Sequence, residues 1–184
     1  MPLPRAAATI PAVSTGELLT RWTVRLALVL YAMTLALRLA QPRRRRAARW
    51  LWTAGCGLFL AHVACAFHFF HGWSHADALR ETARQTGEVT GTYTGAGLYL
   101  NYLFALAWSA DVAWWWVAGL DRYDLLTRWV TVPLHSFLAF MAFNGTVVFE
   151  AGATRWVAAG VTGVLLVLLA RRYGRGSRRL GQPA

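Results

Sequence analysis

Histidine is concentrated in one apolar stretch, residues 51–75, which holds four of the chain's five histidines. If one helix continues through this stretch, His68, His71 and His75 are spaced i, i+3 and i+7, within about 60° of one helical face. Imidazole nitrogens presented to one point are typical ligands of zinc, copper or iron. The spacing therefore predicts a transition-metal site on His68, His71 and His75.

Several other polar residues fall near the same end of the predicted helix. They are His62, Asn101, Asp77, Glu81 and Glu88. Because His68 and His75 are about 10 Å apart along a straight helix, His71 with one neighbour makes the better ligand pair. A residue of the supporting group, or a second chain, would complete the site. The alternative interpretation is that the histidines are interfacial residues, which form hydrogen bonds where lipid meets water.

The histidine spacing also bears on other cofactors. His62 and His75 are thirteen residues apart, as in membrane b-type cytochromes, but the only histidine on another predicted helix is His135. Its depth differs from that of His62 by about 9 Å, so a single haem is a weaker prediction than a metal ion. Membrane di-iron hydroxylases need more than the five histidines present. Motifs of serine hydrolases, phosphate-binding loops and zinc proteases do not occur in the sequence.

A second polar pair, Asp111 and His135, lies inside two later apolar runs, at similar depths from the same side. Ionisable residues inside a membrane span are costly and indicate either a functional site or a helix contact. The pair therefore predicts a proton or ion relay, or a polar clamp between neighbouring helices. Asn144 is interpreted as a further clamp residue, since amides readily hydrogen-bond across helices.

The composition indicates a membrane protein, since 57% of the 184 residues are hydrophobic and ten are tryptophan. Apolar runs of about twenty residues are long enough to cross a bilayer as helices. The predicted spans are residues 22–40, 50–71, 97–119, 129–149 and 156–170, the last of which is short for a span. Around this transmembrane domain, 21–170, we expect an N-terminal tail (1–20) and an Arg-rich tail (171–184). The outer loop (72–96) is expected to carry a short polar helix from about residue 75 to 85.

All 19 basic residues are arginine, and the formal net charge is +11. Because most of them lie between apolar runs, we interpret them as topology determinants and contacts to anionic lipids, with no nucleic-acid partner. With five spans and the N-terminus outside, thirteen arginines fall on the inner side and six on the outer side. The positive-inside rule therefore predicts the N-terminus out, the C-terminus in, and a multi-pass protein of the cytoplasmic (inner) membrane.

These patterns together predict an all-α fold, a bundle of about five transmembrane helices. The first functional hypothesis is a binding or redox-associated subunit that holds a metal at its outer face. The second is a structural or accessory subunit without a cofactor, and the third is a small oligomeric transporter that uses Asp111 and His135. The expected partners are the lipid bilayer and either further copies of the chain or a membrane complex.

Overall fold

A computed structural model of the chain describes residues 14–148 and 152–180. Its helices are α1 (Thr15–Ala40), α2 (Arg45–Phe70), α3 (His75–Thr90), α4 (Ala96–Asp124), α5 (Arg128–Phe143) and α6 (Ala153–Leu180), and a π-helical turn, Asn144–Val148, follows α5. The described ranges contain no strand, so the predicted all-α fold is confirmed. Parts of three predicted segments lie outside the described residues, namely 1–13 of the N-terminal tail, 149 of the fourth span and 181–184 of the Arg-rich tail.

Four of the described helical segments are long and apolar enough to cross a membrane. They are Thr15–Ala40, Arg45–Phe70, Ala96–Tyr123 and Arg128–Val148. These segments coincide with the first four predicted spans and indicate a multi-pass membrane protein. The fifth predicted span, 156–170, lies within α6. Its crossing of the membrane and the orientation of the termini stay predictions.

The first helix begins earlier than the apolar run alone indicated. Ser14 precedes α1, and its hydroxyl accepts a hydrogen bond from the backbone N–H of Glu17 at 3.2 Å. A serine in this position satisfies one of the unpaired N–H groups of the first turn, so the helix begins at Thr15. The last residues of the predicted N-terminal tail are therefore helical.

The polar helix of the outer loop begins where the sequence indicated. The Ser74 hydroxyl accepts a hydrogen bond from the backbone N–H of Asp77 at 3.2 Å and caps α3. The helix runs on to Thr90, five residues beyond the predicted end, and its cap is Gly91 with a φ of 76°. Glycine adopts this left-handed conformation without a steric penalty, which explains why the helix ends there.

The helices pack in an order that follows the chain. α1 and α2 are joined by a turn at 41–44 and share the most extensive contact among the described helices. α2 packs on α4, which also contacts α3 and α5, while α6 contacts α1. The buried core between α1, α2 and α4 is largely aromatic, with Tyr31, Trp52, Phe59, Phe104 and Trp108. This core surrounds the candidate site.

Gly55 allows α1, α2 and α4 to approach closely. A Cβ at this position would lie 3.1 Å from Cζ2 of Trp108, 3.3 Å from Cβ of Leu30 and 3.4 Å from the Ala27 carbonyl oxygen. Two of these neighbours belong to α1 and one to α4, so a Cβ here is already tight and a larger side chain must push two helices away. By contrast, a Cβ at Gly57, half a turn further on α2, would meet nothing within 4 Å.

We expect Gly55→Leu to lower the free energy of unfolding by about 1–3 kcal/mol, since overpacking forces the neighbouring side chains and backbone to shift. The measurement is reversible unfolding of the detergent-solubilised protein. Gly57→Leu is the matched control and should leave stability within about 0.5 kcal/mol of the original. Equal losses in the two variants would show that the helix contact at Gly55 is not close.

Candidate functional site

The buried carboxylate of Asp111 is the centre of the candidate site. Asp111 lies on α4 and only 3% of its surface is exposed. The indole Nε1 of Trp52 on α2 donates a hydrogen bond to Oδ2 at 2.8 Å. The hydroxyl of Tyr123 donates to the same carboxylate, with its oxygen 3.0 Å from Oδ1 and 2.9 Å from Oδ2. Both carboxylate oxygens are therefore engaged, as a buried ionisable group requires.

A break in α4 brings Tyr123 to Asp111. The two residues are 12 positions apart, which would separate them by about 18 Å along a straight helix. The contact forms because Gly119 leaves the helical conformation, with a φ of 78° and a ψ of 177°. The chain then turns back, and the Tyr123 ring stacks on Trp115 with ring centroids 4.4 Å apart and planes 14° apart. Residues 120–124 thus fold over the end of the helix that carries the carboxylate.

Arg38, at the end of α1, places a positive charge beside this site. Its guanidinium carbon lies 5.0 Å from the ring centroid of Trp115 and 5.2 Å from that of Tyr123, both within the range of cation–π attraction. Its Nη1 is 3.5 Å from the Tyr123 hydroxyl oxygen. Its Nη2 also lies 3.6 Å from Oδ1 of Asp124. The guanidinium of Arg38 and the carboxylate of Asp111 therefore both contact the hydroxyl of Tyr123.

Arg45, at the start of α2, holds the returning segment in place. It donates to the carboxylates of Asp121 at 2.9 Å and Asp124 at 3.0 Å, and to the carbonyl oxygen of Leu120 at 3.2 Å. These contacts join the start of α2 to the segment that carries Tyr123. Exposed ion pairs are individually weak, but three contacts from one guanidinium fix geometry as well as charge.

His135 on α5 completes the group. Its Nε2 lies 3.5 Å from the hydroxyl oxygen of Tyr123, and its Nδ1 is buried without a hydrogen-bond partner among the described residues. The sequence predicted a pair of Asp111 and His135, and the structure places the Tyr123 hydroxyl between the two. We call the group of Arg38, Trp52, Asp111, Tyr123 and His135 the Asp111 clamp. It joins α1, α2, α4 and α5.

The outer histidines are not on one continuous helix. α2 ends at Phe70, and positive φ values of 51° at Gly72 and 62° at Trp73 turn the chain before α3 begins at His75. The i, i+3, i+7 row of His68, His71 and His75 therefore does not form as a single face.

The outer histidines lie in one connected group of aromatic rings. The His68 ring meets Phe69 edge to face at 4.7 Å, and the His71 ring meets Phe67 at 5.7 Å. His75 forms a 3.0 Å hydrogen bond between its Nδ1 and the hydroxyl of Tyr102 on α4. These contacts are typical of interfacial residues, the alternative interpretation of the histidine stretch.

Across residues 14–148 and 152–180, no three His, Cys, Asp or Glu side chains are grouped so that they could hold a metal ion. His62 lies on α2, and its Nδ1 is 2.9 Å from the carbonyl oxygen of Thr20 on α1. Glu81 and Glu88 both pair with Arg84, and Asn101 is exposed. The metal site thus stays a prediction from the sequence.

The carboxylates of α3 are engaged in ion pairs along that helix. Hydrogen bonds from Arg84, and then from Gln85, lower the pKa of Glu81 from 4.5 to about 2. The pKa of Arg84 is raised by its bonds to Glu81 and Glu88. Pairs at i, i+3 and i, i+4 stabilise a helix that is too polar to be held by burial alone.

These ion pairs predict an acid dependence of α3. Because the pKa of Glu81 is lower in the folded protein, its contribution to stability is complete above 4.5 and is lost as the pH falls toward about 2. Hydrogen exchange should therefore show that the amides of α3 lose protection between pH 4.5 and about 2, while the amides of α2 stay protected. Arg84→Gln should move the loss to higher pH, toward the ordinary pKa of a glutamate. A transition that the substitution does not move would exclude this ion pair as its cause.

No protein-family model matches the chain, and no curated protein or solved structure matches it either. The class of protein is therefore defined by the structure itself. It is an all-helical protein with at least four helices suited to crossing a membrane among its described residues, and it carries a buried, hydrogen-bonded carboxylate between them.

Proposed function

We propose that the chain is a structural or accessory subunit of a membrane assembly, and that the Asp111 clamp keeps its helices in a fixed arrangement. The observation that carries this proposal is the complete engagement of the Asp111 carboxylate by Trp52 and Tyr123. The bond from Trp52 joins α2 to α4, and the bond from Tyr123 holds the returning segment of α4 against its own helix. Hydrogen bonds of the first kind fix the packing of membrane helices.

The surroundings of the carboxylate support the same role. Trp52, Trp108, Trp115 and Tyr123 are all buried around it. A carboxylate that relays protons must exchange them with a group able to take them up, whereas Asp111 accepts from an indole N–H and a phenol hydroxyl. These two donors hold their protons strongly at neutral pH, which favours a static clamp.

Reconstitution of the purified protein in vesicles with a trapped pH dye tests this proposal against transport. A clamp predicts no proton flux that depends on Asp111, so the original chain and Asp111→Asn should give the same trace. Extraction from the native membrane in mild detergent should also yield a particle larger than one 20.4 kDa chain. A monomer with a flux that Asp111→Asn abolishes would overturn the accessory role and favour the transporter.

The outer-face metal site is a second candidate function, supported by one observation. His71 is the C-cap of α2, and Asp77 and Glu81 lie one turn apart on α3, which begins at His75. An imidazole and two carboxylates therefore lie close to one turn of the chain, and zinc, copper or iron bind such donors.

Metal analysis of protein purified without a His-tag tests the second candidate. It predicts about one equivalent of zinc, copper or iron per chain, and His71→Ala should abolish the binding. His62→Ala is the matched control, because His62 is engaged by the Thr20 carbonyl and should not affect metal content. If the purified protein contains no metal and does not bind added zinc, copper or iron, the outer histidines are interfacial residues and not a metal site.

The orientation of the chain is proposed from the arginine distribution. With the N-terminus outside and five spans, reporter fusions at Gln85 should be active outside, and fusions at Arg46 and after Arg179 should report inside. A C-terminal fusion that reports outside would show that α6 does not cross the membrane.

A further inference from the structure

The turn between α1 and α2 carries positive charge that is not neutralised by the residues that the structure describes. Arg43, Arg44 and Arg46 are exposed and have no ionic partner among the described residues. Their neighbour Arg45 differs, since it is bound to Asp121 and Asp124. The three exposed arginines can therefore accept an anion from outside the chain.

A groove begins at this turn and runs along the outside of the α1–α2 hairpin. Its lining comes from Met33, Leu37 and Ala40 on α1 and from Ala47 and Leu51 on α2, with Arg44 at its end. The α1 residues are spaced i, i+4 and i+7, so they form one stripe along the helix. The groove is open to its surroundings and has a volume of about 450 Å³.

The groove lies on the surface of the α1–α2 hairpin. Met33, Ala40 and Ala47 are exposed, and Leu37 and Leu51 are half-buried. Both helices are suited to crossing a membrane. The apolar groove therefore faces the hydrocarbon region, and the arginine turn lies at the level of the lipid headgroups.

We propose that this groove and turn form a binding site for one anionic phospholipid. The phosphate lies against Arg43, Arg44 and Arg46, and an acyl chain follows the stripe from Ala40 to Met33. Basic clusters next to membrane helices bind anionic headgroups through charge. A zwitterionic lipid carries its own compensating cation, so three arginines favour a lipid with net negative charge. The apolar groove favours a lipid over a soluble phosphate, which has nothing to place there.

Lipid retention by the full-length protein, measured by native mass spectrometry after detergent extraction, tests the proposal. The probes are phosphatidylglycerol, phosphatidylcholine of the same chain length, and inorganic phosphate. Phosphatidylglycerol should bind with the highest affinity, and inorganic phosphate should not displace it. Equal retention of the two lipids, or displacement by phosphate alone, would overturn the proposal.

Two double variants test whether the arginines of the turn contribute to lipid binding through their position or only through their charge. Arg43→Gln with Arg44→Gln should lower phosphatidylglycerol affinity roughly thirtyfold. The control, Arg80→Gln with Arg84→Gln, removes the same net charge at α3 and should leave the affinity unchanged. If both double variants lost the same affinity for phosphatidylglycerol, the effect would come from net charge alone, and the proposed site would be wrong.

Filling the groove tests the acyl-chain half of the proposal. Ala36→Trp places a large side chain among the groove residues, whereas Ala139→Trp places one on an exposed position of α5. Only the first should release the lipid, with an unchanged thermal midpoint showing that the fold is intact. Retention of phosphatidylglycerol by folded Ala36→Trp would overturn the groove as its binding site.

Discussion

Asp111→Leu should lower the free energy of unfolding by about 3–5 kcal/mol, because it leaves buried polar groups without their partner. Trp52 Nε1 and the Tyr123 hydroxyl lose their acceptor, and Arg38 loses the nearby anion. Asp111→Asn keeps one carbonyl oxygen as an acceptor, so its loss should be about 1–2 kcal/mol. The measurement is unfolding in detergent, followed by circular dichroism.

A double-mutant cycle separates the clamp from unrelated losses of stability. Asp111→Leu and Tyr123→Phe remove the same hydrogen bond, so their effects should be non-additive by about 0.5–3 kcal/mol. His135→Leu should couple to Asp111→Leu more weakly, because His135 reaches the carboxylate only through the Tyr123 hydroxyl. Strictly additive losses would remove the case for a connected clamp.

Tryptophan supplies a matched control for the same interaction. Trp52 and Trp116 both donate their Nε1 to an oxygen, at 2.8 Å and 2.9 Å. Trp52 is buried, whereas 38% of Trp116 is exposed. Trp52→Phe should therefore destabilise the protein clearly more than Trp116→Phe, since only the first leaves a buried acceptor short of a donor.

Gly119→Ala should lower the free energy of unfolding by about 1–3 kcal/mol, although nothing within 4 Å would collide with the new Cβ. The reason is the backbone, since a φ of 78° with a ψ of 177° is a conformation that is essentially reserved for glycine. If alanine straightens the helix, Tyr123 moves away from Asp111. Tyr123→Phe should then cost much less in the Gly119→Ala background than in the original chain.

Gly57→Ala is the control for this substitution. Gly57 is helical, and its Cβ would meet open space. Stability should be unchanged or slightly higher, because alanine favours the helix over glycine. A Gly119→Ala variant as stable as Gly57→Ala, with an undiminished effect of Tyr123→Phe, would show that the return of the chain does not depend on glycine at this position.

The sequence was sufficient to predict the helices but only part of the site. Apolar runs predict five spans, four of which match helices suited to crossing a membrane, since burial in lipid requires length and low polarity, both of which are local properties. Asp111 attracted attention because a carboxylate within such a run is costly. Its true partners could not be predicted in the same way, because they depend on contacts between distant parts of the chain.

Tyr123 and Trp52 illustrate this limit. Tyr123 lies in the polar segment DRYD, just after the predicted third span, and no periodicity predicts that the chain reverses at Gly119. Trp52 lies near the start of the predicted second span, where the sequence does not distinguish a lipid-facing tryptophan from a buried one, and it is 1% exposed. Similarly, Trp115 is the middle one of three consecutive tryptophans, and it is buried between two exposed ones. The positive φ of Gly119, at the end of the apolar run, brings Tyr123 to Asp111, and the sequence pattern does not predict it.

The extensive contact between α1 and α2 has a consequence for biogenesis. These two helices are neighbours in the chain and leave the ribosome before α4, so their hairpin can form in the membrane first. It already carries Arg38 and Trp52 when the helix with Asp111 arrives. We therefore expect the Asp111 carboxylate to be inserted beside a cation and an N–H donor that are already in the membrane, which would lower the free-energy cost of inserting α4.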